Sequence, residues 1–147
     1  MNLDTKIPPP IVTIIILSII YLFDFREYNL NTDIISIITL FAGLIFIISA
    51  VIQFINRKTT VNPTKPHKTS TLVITGTYKI TRNPMYLGML LIIISFALYK
   101  ASIISLILIP LFIFYINKFQ IEPEEFEMRK KFGKEYEDYC KKVDRWI

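Results

Sequence analysis

Two long runs of residues carry almost no charge, and they constrain the fold more than any other feature of the sequence. Residues 34–55 contain no formally charged side chain, and residues 84–116 contain only one, Lys100. A bilayer core about 30 Å thick is crossed by about 20 helical residues, and a soluble domain of 147 residues does not need such runs. The sequence therefore predicts an integral membrane protein.

A third apolar stretch, residues 11–23, is shorter and follows three consecutive prolines that begin at Pro8. Proline suits the first turn of a helix, and no small-residue cleavage pattern follows the stretch, so we expect a retained helix and not a signal peptide. The run 84–116 is too long for one straight helix, because its 33 residues would reach about 50 Å. Lys100 at its middle predicts a turn, so we expect the run to form a tight helical hairpin. We predict an all-α integral membrane protein with four transmembrane helices, at about residues 9–24, 34–55, 84–99 and 101–118.

Positively charged side chains are concentrated between the second and third predicted spans. Residues 56–83 contain six Lys or Arg residues and no acid, whereas residues 24–33 contain three acids and one Arg. Since Lys and Arg favour cytoplasmic loops, we expect the loop 56–83 and both termini in the cytoplasm. The abundance of Ile, Lys and Asn is typical of an AT-rich genome and favours a bacterial inner (plasma) membrane. Because the basic residues lie in these cytoplasmic segments, the membrane topology explains the net charge of +5, and we expect no nucleic-acid partner.

A polar segment after the fourth predicted span completes a single domain of residues 1–147. The Pro-Glu-Glu sequence at residues 123–125 suits the first turn of a helix, and apolar residues follow at helical spacing. This pattern predicts one cytoplasmic amphipathic helix over residues 123–143. The chain has a single His and a single Cys, so we expect neither a metal site built from them nor an intrachain disulfide.

Two polar clusters flank the predicted hairpin on its cytoplasmic side. One runs from Gly76 to Gly88 before the third span, and the other runs from Gln120 to Glu125 after the fourth. Because a helical hairpin brings its two ends together, we expect these clusters to form one pocket bordered by lipid. Their carboxylates can accept hydrogen bonds from an ammonium group or a ribose, and their tyrosine rings suit a positive sulfonium. These residue types favour a sulfonium nucleoside, whose chemistry needs mainly alignment and exclusion of water.

Three stretches in and beside these clusters form recognisable blocks. They are residues 72–78 (Leu-Val-Ile-Thr-Gly-Thr-Tyr), residues 82–88 (Arg-Asn-Pro-Met-Tyr-Leu-Gly), and Glu124-Glu125 followed by residues 132–136 (Phe-Gly-Lys-Glu-Tyr), Tyr139 and residues 143–146 (Val-Asp-Arg-Trp). Together they resemble the isoprenylcysteine carboxyl methyltransferase and phospholipid N-methyltransferase group, over about residues 57–147. The resemblance implies an integral membrane enzyme that transfers a methyl group from S-adenosyl-L-methionine to a lipophilic acceptor.

The resemblance also implies site residues, position by position. Cofactor contacts are expected from Ser70, Thr71, Leu72, Val73, Tyr78, Asn83, Pro84, Met85, Tyr86, Glu124 and Glu125. The catalytic positions that we assign are Arg82, Asn83, Tyr86 and Gln120. No metal is expected to take part.

Two of these positions depart from the eukaryotic prenylcysteine enzymes, which have His where Asn83 stands and Arg where Gln120 stands. The acceptor therefore stays open among an isoprenylcysteine carboxylate, a phospholipid amine, a small thiol and a quinone-like lipid. Two alternatives are an NADPH-binding protein similar to sterol reductases, which share an Arg-x-Pro-x-Tyr block, and a non-catalytic membrane scaffold. The short chain and the paired glutamates favour the methyltransferase.

Overall fold

The structure is a computed structural model that describes residues 7–23, 30–56 and 71–147, without the side chains of residues 30 and 31. Within these ranges the chain is helical and contains no strand, which confirms the predicted all-α class. The α-helices in these ranges are α1 (Pro9–Leu22), α2 (Leu30–Asn56), α3 (Pro84–Lys100), α4 (Ser105–Ile116), α5 (Glu122–Phe132) and α6 (Lys134–Cys140). A 3₁₀ turn, Gly76–Lys79, precedes α3, and a π-helical turn, Asn117–Ile121, joins α4 to α5.

Two helical stretches are long and apolar enough to cross a membrane by length and composition. They are Thr32–Asn56, with 25 residues, and Ser105–Phe132, with 28, which includes α4, the π turn and α5. The helices α1 and α3 are apolar but shorter. Among the described residues, therefore, two stretches reach the length of a full crossing, and four crossings stay a prediction. The apolar part of the second stretch ends at Ile116, and the π turn, with Lys118, and the charged helix α5 lie beyond it.

The helices α2 and α3 pack closely, and two glycines set their distance. A Cβ atom added to Gly88 would lie 2.7 Å from the carbonyl oxygen of Gly43 and 2.5 Å from the Ile47 side chain. Small residues at such a crossing let the backbones approach and increase van der Waals contact. On the same pair of helices, Ser95 Oγ donates a 2.7 Å hydrogen bond to the Ser36 carbonyl. The start of α3 is thereby held beside the second half of α2.

An apolar cluster joins α1 to the α3–α4 hairpin. Its buried members come from α1 (Ile16, Ile20), α3 (Tyr86, Leu90, Ile93, Ala97), α4 (Phe112, Ile116) and the π turn (Ile121). Because α1 packs here against α3, its first residues come to lie near the start of that helix.

The turn between α3 and α4 contains a residue with an unusual backbone conformation. Ala101 follows the last residue of α3 with φ +47°, and among the described residues no other non-glycine residue has a positive φ. The N–H of Ala101 bonds to the carbonyls of Ala97 and Leu98, and the Ser102 N–H donates to the Ala97 carbonyl at 3.0 Å. These bonds satisfy carbonyls that a helix end leaves free. The helix thus ends at Lys100.

The C-terminal region differs from its prediction. One helix was expected over residues 123–143, but two are present, α5 and α6, and Gly133 lies between them. The prediction of one helix is wrong because Gly133 has φ +51°, a conformation that ends a right-handed helix and that glycine adopts without steric cost. The break lets α6 turn back toward the loop before α3.

The C-terminal tail is fastened to that loop by a buried ion-pair cluster. Glu125 of α5 is only 3% exposed and accepts hydrogen bonds from Arg82 at 2.9 Å and from Arg145 at 2.8 Å. Arg82 also donates to the carbonyl groups of Cys140 at 3.2 Å and of Val143 at 2.7 Å. Since a buried carboxylate is tolerated only with such partners, Glu125 joins α5, the tail and the loop.

We predict that Ala101→Gly stabilises the protein. The left-handed conformation is sterically unfavourable for alanine, because of its Cβ atom, and is not unfavourable for glycine. The free energy of unfolding in detergent should rise by about 1 kcal/mol, measured by thermal or SDS-induced unfolding. The control Ala42→Gly, in the middle of α2, should lower it by about 1 kcal/mol. A lower free energy of unfolding in both variants would contradict the left-handed conformation of Ala101.

We predict that Arg145→Gln destabilises the protein, because Glu125 keeps its charge and loses one of its two closest cationic partners. The free energy of unfolding should fall by about 2 kcal/mol, less than for a fully orphaned buried charge. The matched control is Lys141→Gln, which removes an exposed pair with Asp138 and should change it by less than about 0.5 kcal/mol. Equal effects would show that the buried cluster does not hold the tail.

Candidate functional site

A cavity of about 330 Å³ lies where the first turn of α1, the second half of α2, the loop before α3 and the helices α3, α5 and α6 meet. This volume is within the range of small-molecule sites. Most of the predicted site residues line it: Thr71, Leu72, Val73, Tyr78, Arg82, Asn83, Met85, Tyr86, Glu124 and Glu125. The structure therefore brings together the two polar clusters at either end of the hairpin. Three predicted residues are not in this lining: Ser70 lies outside the described residues, and Pro84 and Gln120 are buried elsewhere.

The loop wall of the cavity is built around Tyr78. Its ring packs edge-on against Phe54 of α2, with 5.6 Å between ring centroids. Its carbonyl oxygen accepts a 2.6 Å hydrogen bond from the hydroxyl of Tyr139 in α6. Burial, and then the nearby Glu124 carboxylate, raise the pKa of the Tyr78 hydroxyl, so this group stays neutral and can act as a hydrogen-bond donor.

The loop is held to α2 by a second contact, at Gly76. Gly76 has φ +61°, and a Cβ atom there would meet the Gln53 side-chain amide at 2.3 Å. Thr75 Oγ1 donates a 2.7 Å hydrogen bond to Gln53 Oε1. Only glycine fits this close approach without moving Gln53, so the loop packs directly against α2.

Asn83 connects the loop to the C-terminal tail. Its side-chain Nδ2 donates to the Arg145 carbonyl at 2.9 Å, and its backbone N–H donates to Thr81 Oγ1 at 3.1 Å. Thr81 in turn donates to the same Arg145 carbonyl at 3.1 Å. The Asn83 amide group is thus occupied by the tail, and Arg82 is occupied by Glu125 and the tail carbonyls. The catalytic roles assigned to these two residues stay predictions, and their observed contacts are structural.

The paired glutamates have different environments. Burial raises the pKa of the Glu125 carboxyl, but the hydrogen bonds and charges of Arg145 and Arg82 outweigh it, and the net pKa lies below the ordinary value. Glu125 is therefore ionised, and its oxygens are already bound by the two arginines. Within the described part of the chain Glu124 forms no ion pair, and it accepts a 2.5 Å hydrogen bond from the Tyr86 hydroxyl. Burial raises the pKa of the Glu124 carboxyl to about 8.

Gln120 lies in the π turn and is fully buried. Its Nε2 donates a 3.0 Å hydrogen bond to the carbonyl of Ile7, at the beginning of the described chain. Its Oε1 has no hydrogen-bond partner among the described residues. The contact observed for Gln120 is therefore with the N-terminal segment, and the catalytic assignment stays a prediction.

Sequence reasoning did not identify several residues of the cavity wall. Pro8, Pro9 and Pro10 line it from α1, and Met89 and Met128 line it from α3 and α5. The prolines could have been noticed as an unusual run, but nothing local indicates that they face this site. The partnership of Arg145 with Glu125 was also missed, although Arg145 belongs to the conspicuous Val-Asp-Arg-Trp sequence of residues 143–146.

The cavity thus combines four tyrosines, a carboxyl group with no ionic partner among the described residues, and a largely apolar remainder. A carboxyl group in such surroundings favours a cationic or hydroxyl-bearing ligand, because either would supply the partner that the protein does not. Among the described residues no group of three or more His, Cys, Asp or Glu side chains is placed to hold a metal ion.

Comparison with known proteins agrees with this arrangement. A 63-residue match of 41% identity links the chain to a protein of Haemophilus influenzae described as uncharacterized, covering 43% of this chain and all of that protein. No solved structure matches the chain significantly. The family model for phospholipid methyltransferases matches residues 32–135, which is well over half of the chain and includes both polar clusters. Membership implies methyltransferase activity on a membrane substrate. The chain belongs to the phospholipid methyltransferase family.

Proposed function

We propose that this protein transfers the methyl group of S-adenosyl-L-methionine to a lipophilic acceptor at the cytoplasmic face of a membrane. The observation that carries the proposal is the Glu124–Tyr86 pair at the wall of a largely apolar cavity. A carboxyl group is seldom kept there without a cation, and the neighbouring Glu125 is already satisfied by arginines. The phospholipid methyltransferase family, whose model covers this region, supports the same chemistry.

The residues present fit such a cofactor. Glu124 can accept hydrogen bonds from an ammonium group or from ribose hydroxyls, and the tyrosine rings of the wall can stabilise a positive sulfur. The backbone of Thr71–Val73 offers peptide groups to a polar ligand at the loop wall. S-Adenosylmethionine supplies an electrophilic methyl group on a sulfonium.

The protein's own contribution is positioning and desolvation. Tyr86 holds the Glu124 carboxyl in one orientation through its hydroxyl, and Tyr86 is itself buried in the cluster that joins α1, α3 and α4. The apolar lining excludes water from the reacting atoms, and the rigid loop fixes the position of the cofactor relative to the acceptor. A carboxylate or thiolate acceptor would need no general base.

The membrane arrangement that we propose has four spans, α1 to α4, in a bacterial inner membrane. Both termini and the site lie on its cytoplasmic side. Large apolar side chains project outward from these helices, such as Ile38 at 64% exposure, Ile45 at 63% and Phe114 at 64%. Contiguous apolar surface of this kind is unsuited to water and suits lipid. The acceptor would then enter the cavity sideways from the bilayer, and the cofactor from the cytoplasm.

The proposal predicts that Glu124→Gln weakens S-adenosylmethionine binding, because the variant loses the carboxylate that would balance the cofactor's ammonium group. Calorimetry on detergent-purified protein should show a Kd at least about tenfold higher, equivalent to about 1.4 kcal/mol. The matched control is Glu122→Gln, in the same helical turn but exposed and paired with Lys118, which should bind like the wild type. A folded wild type that does not bind S-adenosylmethionine would contradict the proposal, and binding of NADPH instead would favour the reductase-like alternative.

The raised pKa of Glu124 predicts a pH dependence. Below about pH 8 the free carboxyl is mostly protonated, and a bound cation favours its ionised form, so binding releases a proton and becomes tighter as pH rises. The affinity should increase by up to about 25-fold between about pH 6 and about pH 7.5 in the wild type. It should be nearly constant in Glu124→Gln. Calorimetry in buffers of different ionisation enthalpy measures the released proton directly, and its absence would show that Glu124 does not titrate with binding.

A further inference from the structure

The proline run at the start of α1 has a position that the proposed reaction does not yet use. Pro8, Pro9 and Pro10 line the same cavity as Glu124 and Tyr86, and all three precede residue 32, where the family match begins. We call these three residues the proline wall. Building on the proposed function, we infer that the proline wall contacts the apolar part of the methyl acceptor and selects which acceptors are methylated.

The chemistry of the proline wall excludes hydrogen-bond donation. The first turn of a helix ordinarily leaves N–H groups free, and these attract anionic ligands. Prolines occupy the N-cap and the first two positions of α1, so none of these residues has an N–H. The next N–H, of Ile11, donates to the Pro8 carbonyl at 2.9 Å. This end of the helix therefore presents pyrrolidine rings and no donors to the cavity.

The cavity is thereby divided into two sides. The loop side is lined by Tyr78 and Thr71–Val73. Their hydroxyl and peptide groups are the ones that we assign to a polar nucleoside or amino acid. The α1 side can offer only apolar contact, and Met89 of α3, which packs with the α1–α3–α4 cluster, extends it. A lipophilic acceptor needs apolar contact and no hydrogen bonds, so its chain matches the α1 side.

Gln120 holds the proline wall in place. Its amide donates to the Ile7 carbonyl, which immediately precedes the prolines, and it does so from a fully buried position in the π turn. The same turn leads into α5, which carries Glu124 four residues later. One hydrogen bond thus links the position of the acceptor side to the helix that bears the cofactor-side carboxyl. Gln120 is by this reasoning a positioning residue that acts through Ile7–Pro10.

The proline wall is also rigid. The ring fixes φ of each proline near −65°, so the wall cannot adapt to the ligand as a glycine or serine segment could. Pro9 is fully buried and Thr13 Oγ1 donates to its carbonyl at 3.0 Å, so Pro9 anchors the wall while Pro8 and Pro10 supply its accessible surface. A rigid apolar surface discriminates ligands by shape, and one unfavourable methylene in such a pocket changes binding by about tenfold or more.

Photo-crosslinking tests the inference without a known acceptor. The probe is a long-chain alkyl thiol with a diazirine in its chain, added to detergent-purified full-length protein, and the competitor is the same thiol without the diazirine. Mass spectrometry should find competable labelling of residues 7–11. Labelling of the exposed α2 face around Ile38 and Ile45 serves as the reference for non-specific contact with an apolar molecule.

Two variants separate the proline wall from the rest of the protein. Pro8→Trp fills the α1 side, and Gln120→Met removes the amide donor at similar volume; both should lower the competable labelling about tenfold relative to α2. The Kd for S-adenosylmethionine should change less than about twofold, a split that a general loss of structure would not produce. The control is Ile14→Trp, on the outward face of α1 at 60% exposure, which should leave the labelling unchanged.

Each outcome decides the inference. Labelling that is not competed, labelling concentrated on Thr71–Val73, or variants that weaken S-adenosylmethionine binding as much as they reduce labelling would overturn it. Competable labelling of residues 7–11 in a protein that does not bind S-adenosylmethionine would support contact between the proline wall and an apolar ligand and would contradict the proposed function. Binding of S-adenosylmethionine without that labelling would support the proposed function and contradict the role of the proline wall.

Discussion

The ion pairs of Glu125 with Arg82 and Arg145 are the interactions on which the candidate site depends. They join the loop before α3, the helix α5 and the C-terminal tail, which are distant in sequence. Neighbouring residues on an α-helix point about 100° apart, so fixing Glu125 among the arginines directs Glu124 toward the cavity and Tyr86. One carboxylate is therefore neutralised by cations, while the other meets mainly apolar surroundings. This asymmetry leaves the Glu124 carboxyl with no ionic partner in the part of the chain that the structure describes.

The helical class and the meeting of the two polar clusters could be predicted because both follow from local properties of the chain. Long uncharged runs specify apolar helices whatever their partners are, and Lys100 in the middle of one run requires a turn. A hairpin necessarily brings its ends together, and so Tyr78, Tyr86 and Glu124 line one cavity. The number of membrane crossings is less determined, because α1 and α3 are shorter than a full crossing.

The remaining features depend on tertiary contacts that no local pattern encodes. The hydrogen bond from Gln120 to Ile7 joins residues 113 positions apart, and its existence depends on the packing of α1 against the hairpin. The break at Gly133 depends on whether glycine adopts a positive φ there, which the surrounding packing decides. The choice of Arg145 as a partner for Glu125 likewise follows from the return of the tail. Helix propensity and hydrophobic period alone could not distinguish these outcomes from their alternatives.

The proposed site has two chemically distinct sides, and their origins in the sequence differ. The cofactor side comes from segments within the phospholipid methyltransferase match, residues 32–135, whereas the proline wall precedes it. The most direct test of methyl transfer uses S-adenosylmethionine with an isotopically labelled methyl group, incubated with the purified protein and lipid extract and followed by organic extraction. Label that enters the organic phase with the wild type and with Glu122→Gln, but not with Glu124→Gln, is the predicted result. Label that never leaves S-adenosylmethionine in the presence of folded protein, or that transfers equally with all three proteins, would contradict the central claim.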